Sequence, residues 1–451
     1  MGHARTVAII GAGPVGLAAA AHVLERGLTP IVLEAGGSAG HSVRQWGHVQ
    51  LFSPWEYNID RAAARLLAPT GWNSPEPSAY PTGAELVERY LEPLVSRTAL
   101  ASHIRTSSRV TDISRAGFDK LKTEDRESAP FEIRYRNGQG TGLVRADAVI
   151  DASGTWQSPN PAGANGLRAI GESEATDKIA YGMPDVLGKD RARYAGKTIA
   201  VLGAGHSAIG TLTDLAQLAM QAPATRPIWL LRGNDPAKAF GGGANDRLLA
   251  RGELGAAFAA LVAAGRIKLE RDFRVSHLAA NGAGLLVGAD ASGRDLTVDQ
   301  LIVATGFRPS LDFVRELRIQ LDPAIECPVA LAPLIDPNLH SCGTVRPHGA
   351  RELAQPEPGF YFAGMKSYGR APTFLMRTGY EQVRSIAAEL AGDRKAAERV
   401  ELVLPETGVC SRSAAPAANN CGGGPALSDV DGCCAADANA KQQGKTGCGC
   451  A

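Results

Sequence analysis

Two glycine-rich turns, each closing a short apolar strand and opening a helix-like run, lie 192 positions apart in this chain of 451 residues. The first reads Val7-Ala8-Ile9-Ile10-Gly11-Ala12-Gly13-Pro14-Val15-Gly16, and the second Thr198-Ile199-Ala200-Val201-Leu202-Gly203-Ala204-Gly205-His206-Ser207-Ala208. A strand that hands over to a helix through a glycine turn belongs in a parallel sheet covered by helices. Its duplication predicts an α/β chain with two such sheets.

Each turn carries a physical demand. Gly11 permits the tight bend, Gly13 lets the backbone approach a pyrophosphate, and Gly16 lets the helix lie close to the strand. The N–H groups at the helix start then face the phosphates. The next strand, Thr29 to Glu34, ends in a carboxylate placed to accept from ribose hydroxyls and to repel a 2′-phosphate, which fits FAD or NAD. In the second turn Gly203 and Gly205 repeat the first two roles, Ala208 takes the packing position, and Ser207 joins the phosphate-facing set. Its next strand ends in Arg232, a cation suited to the extra phosphate of NADP. Asp235, three residues on, keeps a carboxylate–ribose contact, and with it NADH, open. Two Rossmann-like dinucleotide units, for FAD and NADPH, are the expectation.

Lys plus Arg total 47 against 46 Asp plus Glu, so charge gives no case for a nucleic-acid or anionic-membrane partner. Val7 to Leu24 lacks acidic and strongly basic residues and is long enough to suggest a membrane span, but its glycines fall at nucleotide-turn spacing. No secretory cleavage pattern follows it, and a cytoplasmic location is expected.

Between the turns, Pro81 to Leu94 reads as a helix and Phe131 to Val144 as a hairpin around Asn137-Gly138. Ala146 to Gly154 and Asp299 to Pro309 are apolar strands with small-residue exits, where each nucleotide unit's last strand would return. Gly359 to Met365 is another, with Gly364 at its exit a candidate cofactor contact; it leads through Thr373 into an amphipathic helix from about Leu375 to Leu390, whose start could present backbone donors to a reduced flavin. The implied layout is an FAD domain of residues 1–160 and 325–395, interrupted by an NADPH domain of residues 161–324. Residues 396–451 form a low-complexity, Cys-rich tail unlikely to pack.

Together, the glycine turns, Glu34, the small-residue strand exits, Arg232 and Phe362-Ala363-Gly364 resemble the two-dinucleotide-binding flavoproteins over about residues 5–395. Within that group the chain looks most like the flavin-containing monooxygenases that use FAD and NADPH. The Ala304-Thr305-Gly306 linker, the Arg44-Gln45-Trp46 stretch and the absence of Asp after Gly364 carry that likeness. It implies that residues of the Arg44–Phe52 stretch, Arg44 and Trp46 among them, line the flavin. One feature departs from it: Ile179 to Gly188 holds no histidine where those monooxygenases carry an FxGxxxH-type fingerprint. That departure bears on oxygenation and leaves hydride transfer to FAD untouched.

Six of the eight cysteines, Cys410, Cys421, Cys433, Cys434, Cys448 and Cys450, lie in the tail. Cys433-Cys434 and the Cys448/Cys450 pair, with 13 residues between them, suit thiophilic ions such as trivalent arsenic, Hg(II) or Cu(I) better than a conventional zinc module. The tail resembles the cysteine-rich ends of bacterial arsenic-resistance proteins. A redox-buffering tail and an adventitious metal binder are the competing readings. Neither CxxC nor CxxxxC occurs in residues 1–400, which disfavours a disulfide reductase unless the tail supplies the dithiol.

The expected activity is an FAD-dependent NADPH oxidoreductase, a monooxygenase acting on a soft nucleophile such as a trivalent arsenical or an organic sulfur or nitrogen centre. Beside it stand a reductase that passes electrons to a thiol-bound metal, quinone or protein, and a metal-sequestering flavoprotein. The sequence distinguishes no general acid or base among His41, His48 and His206.

Overall fold

Thr6–Ile10 is apolar on both faces, and a strand of that composition needs cover on both sides. It lies at the centre of a five-stranded parallel sheet ordered Phe360–Phe362, Ala148–Asp151, Thr6–Ile10, Thr29–Leu33, Ile104–Arg105. Thr198–Leu202 is likewise central to a second parallel sheet, ordered Lys268–Glu270, Arg226–Leu230, Thr198–Leu202, Gln300–Val303, Ile179–Tyr181. Each sheet has a three-stranded antiparallel companion: Arg109–Arg115, Phe131–Asn137 and Gly140–Ala146 for the first, Val275–Asn281, Gly284–Ala289 and Arg294–Val298 for the second. The duplicated glycine turns therefore mark two Rossmann-like sheets, as expected.

This computed structural model describes residues 5–240, 249–289, 293–338, 347–372 and 374–402, with 238 and 249–251 described by backbone alone. They lie within one compact unit, Met1–Ser411; Arg412–Ala451 is a second unit outside the described residues. The tail cysteines, Cys342 and Thr373 also lie outside them. Strand Phe360–Phe362 pairs with Ala148–Asp151, so the chain returns to the first sheet after completing the second.

The apolar run after Val7 divides into strand Thr6–Ile10 and helix Pro14–Glu25, and no helix among the described residues is long and apolar enough to cross a membrane. Ala18 to Ala21 are fully buried, and their small side chains let this helix lie against Met376–Leu390, which starts one residue later than expected. The helix expected from Pro81 begins at Gly83, with Thr82 and Glu85 forming a capping box. It widens to a π-turn over Val87–Leu91 before resuming at Glu92–Ser96. Pro93 lacks the N–H that would bond the Arg89 carbonyl, and the indole N–H of Trp72 takes that acceptor at 2.8 Å.

At the far end of Pro14–Glu25, buried His22 places Nε2 3.0 Å from Asp60 Oδ2. Burial alone would lower its pKa, but the Asp60 carboxylate outweighs that and lifts it to about 9. A raised folded pKa stabilises the fold fully below the unfolded value near 6.5, and the gain disappears as pH rises through about 9. Urea unfolding is expected to show stability falling by about 3 kcal/mol across that window. His22→Gln should flatten the slope; superimposable slopes for the two proteins would dismiss the pairing.

Candidate functional site

The two glycine turns share a backbone geometry. Gly11 has φ +98° and Gly203 φ +142°, values that L side chains rarely adopt. A Cβ on Gly16 would fall 2.0 Å from the Gly11 carbonyl oxygen, and one on Gly203 2.3 Å from that of Ala304. Gly13 and Gly205 behave differently: a Cβ on either meets no atom within 4 Å. They are the N-caps of Pro14–Glu25 and His206–Gln221, with φ/ψ of −78°/−176° and −88°/175°, no side-chain cap and no acid in the first turn. Each turn thus leaves an open, anion-compatible cradle at a helix N-terminus, where a diphosphate fits. Ser207 is half-buried in the second helix's first turn, and Ala208 packs beneath Gly203.

Glu34 is buried, its carboxylate accepting from the amides of Ala12 and Gly36 at 2.7 Å each. Those bonds fix an anion beside the first turn and leave lone pairs for ribose hydroxyls. Arg232 is exposed and lies 3.4 Å from the Ala164 carbonyl, while Asp235 caps the Ala237 amide at 2.9 Å. Gly364 has φ +68°, and its amide donates to Gln382 Oε1 at 2.8 Å. Arg44 pairs with Glu92. Trp46 packs over Gly83 and faces Trp156, ring centroids 6.5 Å apart.

The stretch after Gly40 ties the two cradles together. The Gly40 amide donates to the Ala12 carbonyl at 2.9 Å, starting helix His41–Gln45 directly from the first turn. Gln45 Oε1 accepts from the Trp156 indole at 2.6 Å, Trp156 packs on Phe307 at 4.8 Å, and Phe52 meets the His206 ring edge-on at 5.2 Å. Trp156 and Phe307 sit on the two segments that connect the sheets, which run together through the Pro159–Phe307 bridge. Sequence reasoning missed both; their small-residue flanks, Ser153-Gly154 and Thr305-Gly306, marked strand exits but not an aromatic wall. Gly182, φ +80°, lies beneath them where the FxGxxxH fingerprint is incomplete, with Cβ room of only 3.2 and 3.3 Å.

Among the histidines, His41 Nε2 lies 3.2 Å from Gln45 Nε2, and burial pulls the His48 pKa down against the opposing Asp185 charge. Cys327 is fully buried in the core; burial, assisted by Asp322, pushes its thiol up to about 12. That thiol is inert to exchange.

Residues 8–329 match the family of pyridine nucleotide-disulphide oxidoreductases. No curated protein matches the sequence. Among solved structures, bacillithiol disulfide reductase from Bacillus cereus aligns with a TM-score of 0.62 at 19% identity, over 86% of this chain and 99% of its own. Ornithine N-hydroxylase from Kutzneria gives 0.57 at 17% identity, over 87% and 100%. A doubly substituted flavin monooxygenase from Stenotrophomonas maltophilia gives 0.53 at 18%, over 86% and 98%. At these identities the likeness is one of fold.

Proposed function

Since the chain belongs to the pyridine nucleotide-disulphide oxidoreductases and is an FAD-dependent oxidoreductase, we propose that it draws hydride from NADPH and oxygenates a soft nucleophile. The single observation carrying the hydride-transfer core of this reading is the Gly40–Phe52 stretch, hydrogen-bonded to the first turn and in ring contact with the second. FAD, when bound, supplies the hydride acceptance and the oxygen chemistry. The chain supplies position: Gly11, Gly13 and Gly16 hold the FAD diphosphate and Glu34 its ribose, while Gly203, Gly205 and Ser207 hold that of NADPH. Trp46, Trp156, Phe307 and Phe52 exclude water between them, with Gly364 closing the flavin side. Arg44, held by Glu92, orders the helix that carries Gln45. This division, FAD on residues 1–160 and 325–395 and NADPH on 161–324, is supported by the return of Phe360–Phe362 to the first sheet.

For a substrate S the balance is S + O2 + NADPH + H+ giving SO + NADP+ + H2O. Trivalent arsenicals fit the soft-nucleophile class, and Cys433, Cys434, Cys448 and Cys450, outside the described residues, would capture such an ion in the cytoplasm. The test loads the full chain with FAD, reduces it anaerobically with NADPH, and admits 18O2 with arsenite or a thioether. Label in the product with catalase present supports oxygenation; no oxygenated product, with the reducing equivalents released as hydrogen peroxide, overturns it. The family match favours a second reading, an NADPH-dependent reductase with a thiol-bound acceptor, which would turn over at full rate without oxygen.

Arg232→Ala is expected to raise KM for NADPH about 10-fold while leaving NADH unchanged, one charge-assisted contact being worth about 1.5 kcal/mol or more. Equal losses with both nucleotides would discount a 2′-phosphate contact.

A further inference from the structure

A buried ion pair lies directly under the first glycine turn and has no part in the reading above. Lys366 Nζ is 2.7 Å from Asp151 Oδ2, and both side chains are fully buried. Asp151 ends the strand that pairs with Thr6–Ile10, and two residues on, Ser153 is exposed at the carboxyl edge of the sheet. Its Cα is 3.0 Å from where a Cβ on Gly11 would stand, so the residue borders the first cradle. Ligands of open parallel sheets bind at that edge.

The hydrogen-bond directions at Ser153 are fixed by chemistry. An ionised carboxylate can only accept, so the hydroxyl donates its one hydrogen to Asp151 Oδ1, at 2.6 Å. An ammonium can only donate, so Lys366 Nζ occupies one lone pair of Oγ, at 3.0 Å. The Ser153 amide also donates to Asp151 Oδ1, at 3.1 Å, which holds the backbone in register. What remains on Oγ is a single lone pair. A phosphate oxygen, itself an acceptor, gains nothing from it; a hydroxyl does.

Resting on the assignment of the first turn to FAD, we propose that Ser153 is a locked acceptor for a hydroxyl of the flavin's ribityl chain, with Lys366 and Asp151 as the positioning residues that set its rotor. The selectivity is for a polyol at this point and against a second diphosphate, which fixes where along the cleft the sugar alcohol ends and the phosphates begin.

The test is equilibrium binding of FAD and of its 2′-, 3′- and 4′-deoxyribityl analogues to the full-length apoprotein, native and Ser153→Ala. Ser153→Ala is expected to bind FAD about 10-fold more weakly, and with one deoxy analogue the native and variant proteins should bind equally. Ser153→Thr, which keeps the hydroxyl, should restore the discrimination, and Lys366→Met should lose it even where its FAD complex forms. A uniform penalty across the analogue series, or a penalty abolished only by N3-methyl-FAD, overturns the polyol assignment. Equal FAD affinity of native protein and Ser153→Ala sinks it while leaving the flavin reading intact; native protein that binds no FAD sinks the flavin reading itself.

Discussion

Gly13→Ala is expected to yield protein that folds normally but is colourless. The backbone at Gly13, φ −78°, suits any L-residue, and the added methyl meets no protein atom within 4 Å. Its cost therefore falls on whatever lies in the cradle. An intruding methyl at a close-packed diphosphate should weaken FAD at least about 100-fold, or roughly 2.7 kcal/mol, with the apoprotein melting where the native apoprotein does. Gly16→Ala is the contrasting case. Its methyl would sit 2.0 Å from the Gly11 carbonyl oxygen, so the turn itself must open and stability falls along with colour. A yellow Gly13→Ala protein with native flavin content would show that the first turn does not cradle a diphosphate.

The second large effect is expected at Glu357, which no motif in the sequence marks. Its carboxylate is fully buried between two guanidiniums: Arg115 Nε at 2.7 Å, and Arg126 Nη1 at 2.9 and 2.7 Å from the two oxygens. The Arg318 amide adds a bond at 3.0 Å. Arg115 ends a strand of the first antiparallel sheet, Arg318 follows the second parallel sheet, and Glu357 precedes the closing strand. Three distant stretches of chain thus meet at one anion. Glu357→Gln removes that anion and leaves two buried cations unpaired, and a loss of about 3–5 kcal/mol is expected in chemical unfolding.

Burial pushes the Glu357 pKa upward, but the Arg318 N–H and the two arginines outweigh it and hold the carboxyl below its ordinary value. A depressed folded pKa stabilises the fold above the unfolded value near 4.5, and the gain is lost as pH falls through the lowered one. Native and Glu357→Gln proteins should therefore draw together in stability as pH falls below the unfolded value and converge once it has passed the lowered one. A variant within 1 kcal/mol of native at neutral pH would mean that the cations find other partners.

Much of the candidate site was readable because its demands are local. Gly11 and Gly16 meet within one turn, so their spacing alone specified the bend and the close approach. Glu34 stands at the end of the strand next to Thr6–Ile10, and the structure places it against the Ala12 amide. Arg44 belongs to the stretch that leaves the first turn, and its partner Glu92 comes from a helix that no local pattern linked to it. The π-turn at Val87–Leu91 escaped notice because Pro93 acts through a carbonyl whose substitute donor, Trp72, lies in another segment.

By itself, the sequence determined the two strand–turn–helix units, their small-residue contacts and the charge that ends each following strand, since all depend on sterics and charge within one βαβ unit. Tertiary structure alone decided what faces what. Trp156 and Phe307 become one wall only when two connecting segments run together, and Ser153 meets Lys366 across 213 positions of chain. Such contacts arise from the order of strands in the sheets, which no local spacing encodes. The orientation of the Ser153 hydroxyl follows from burying an ion pair that the sheet's closing strand delivers.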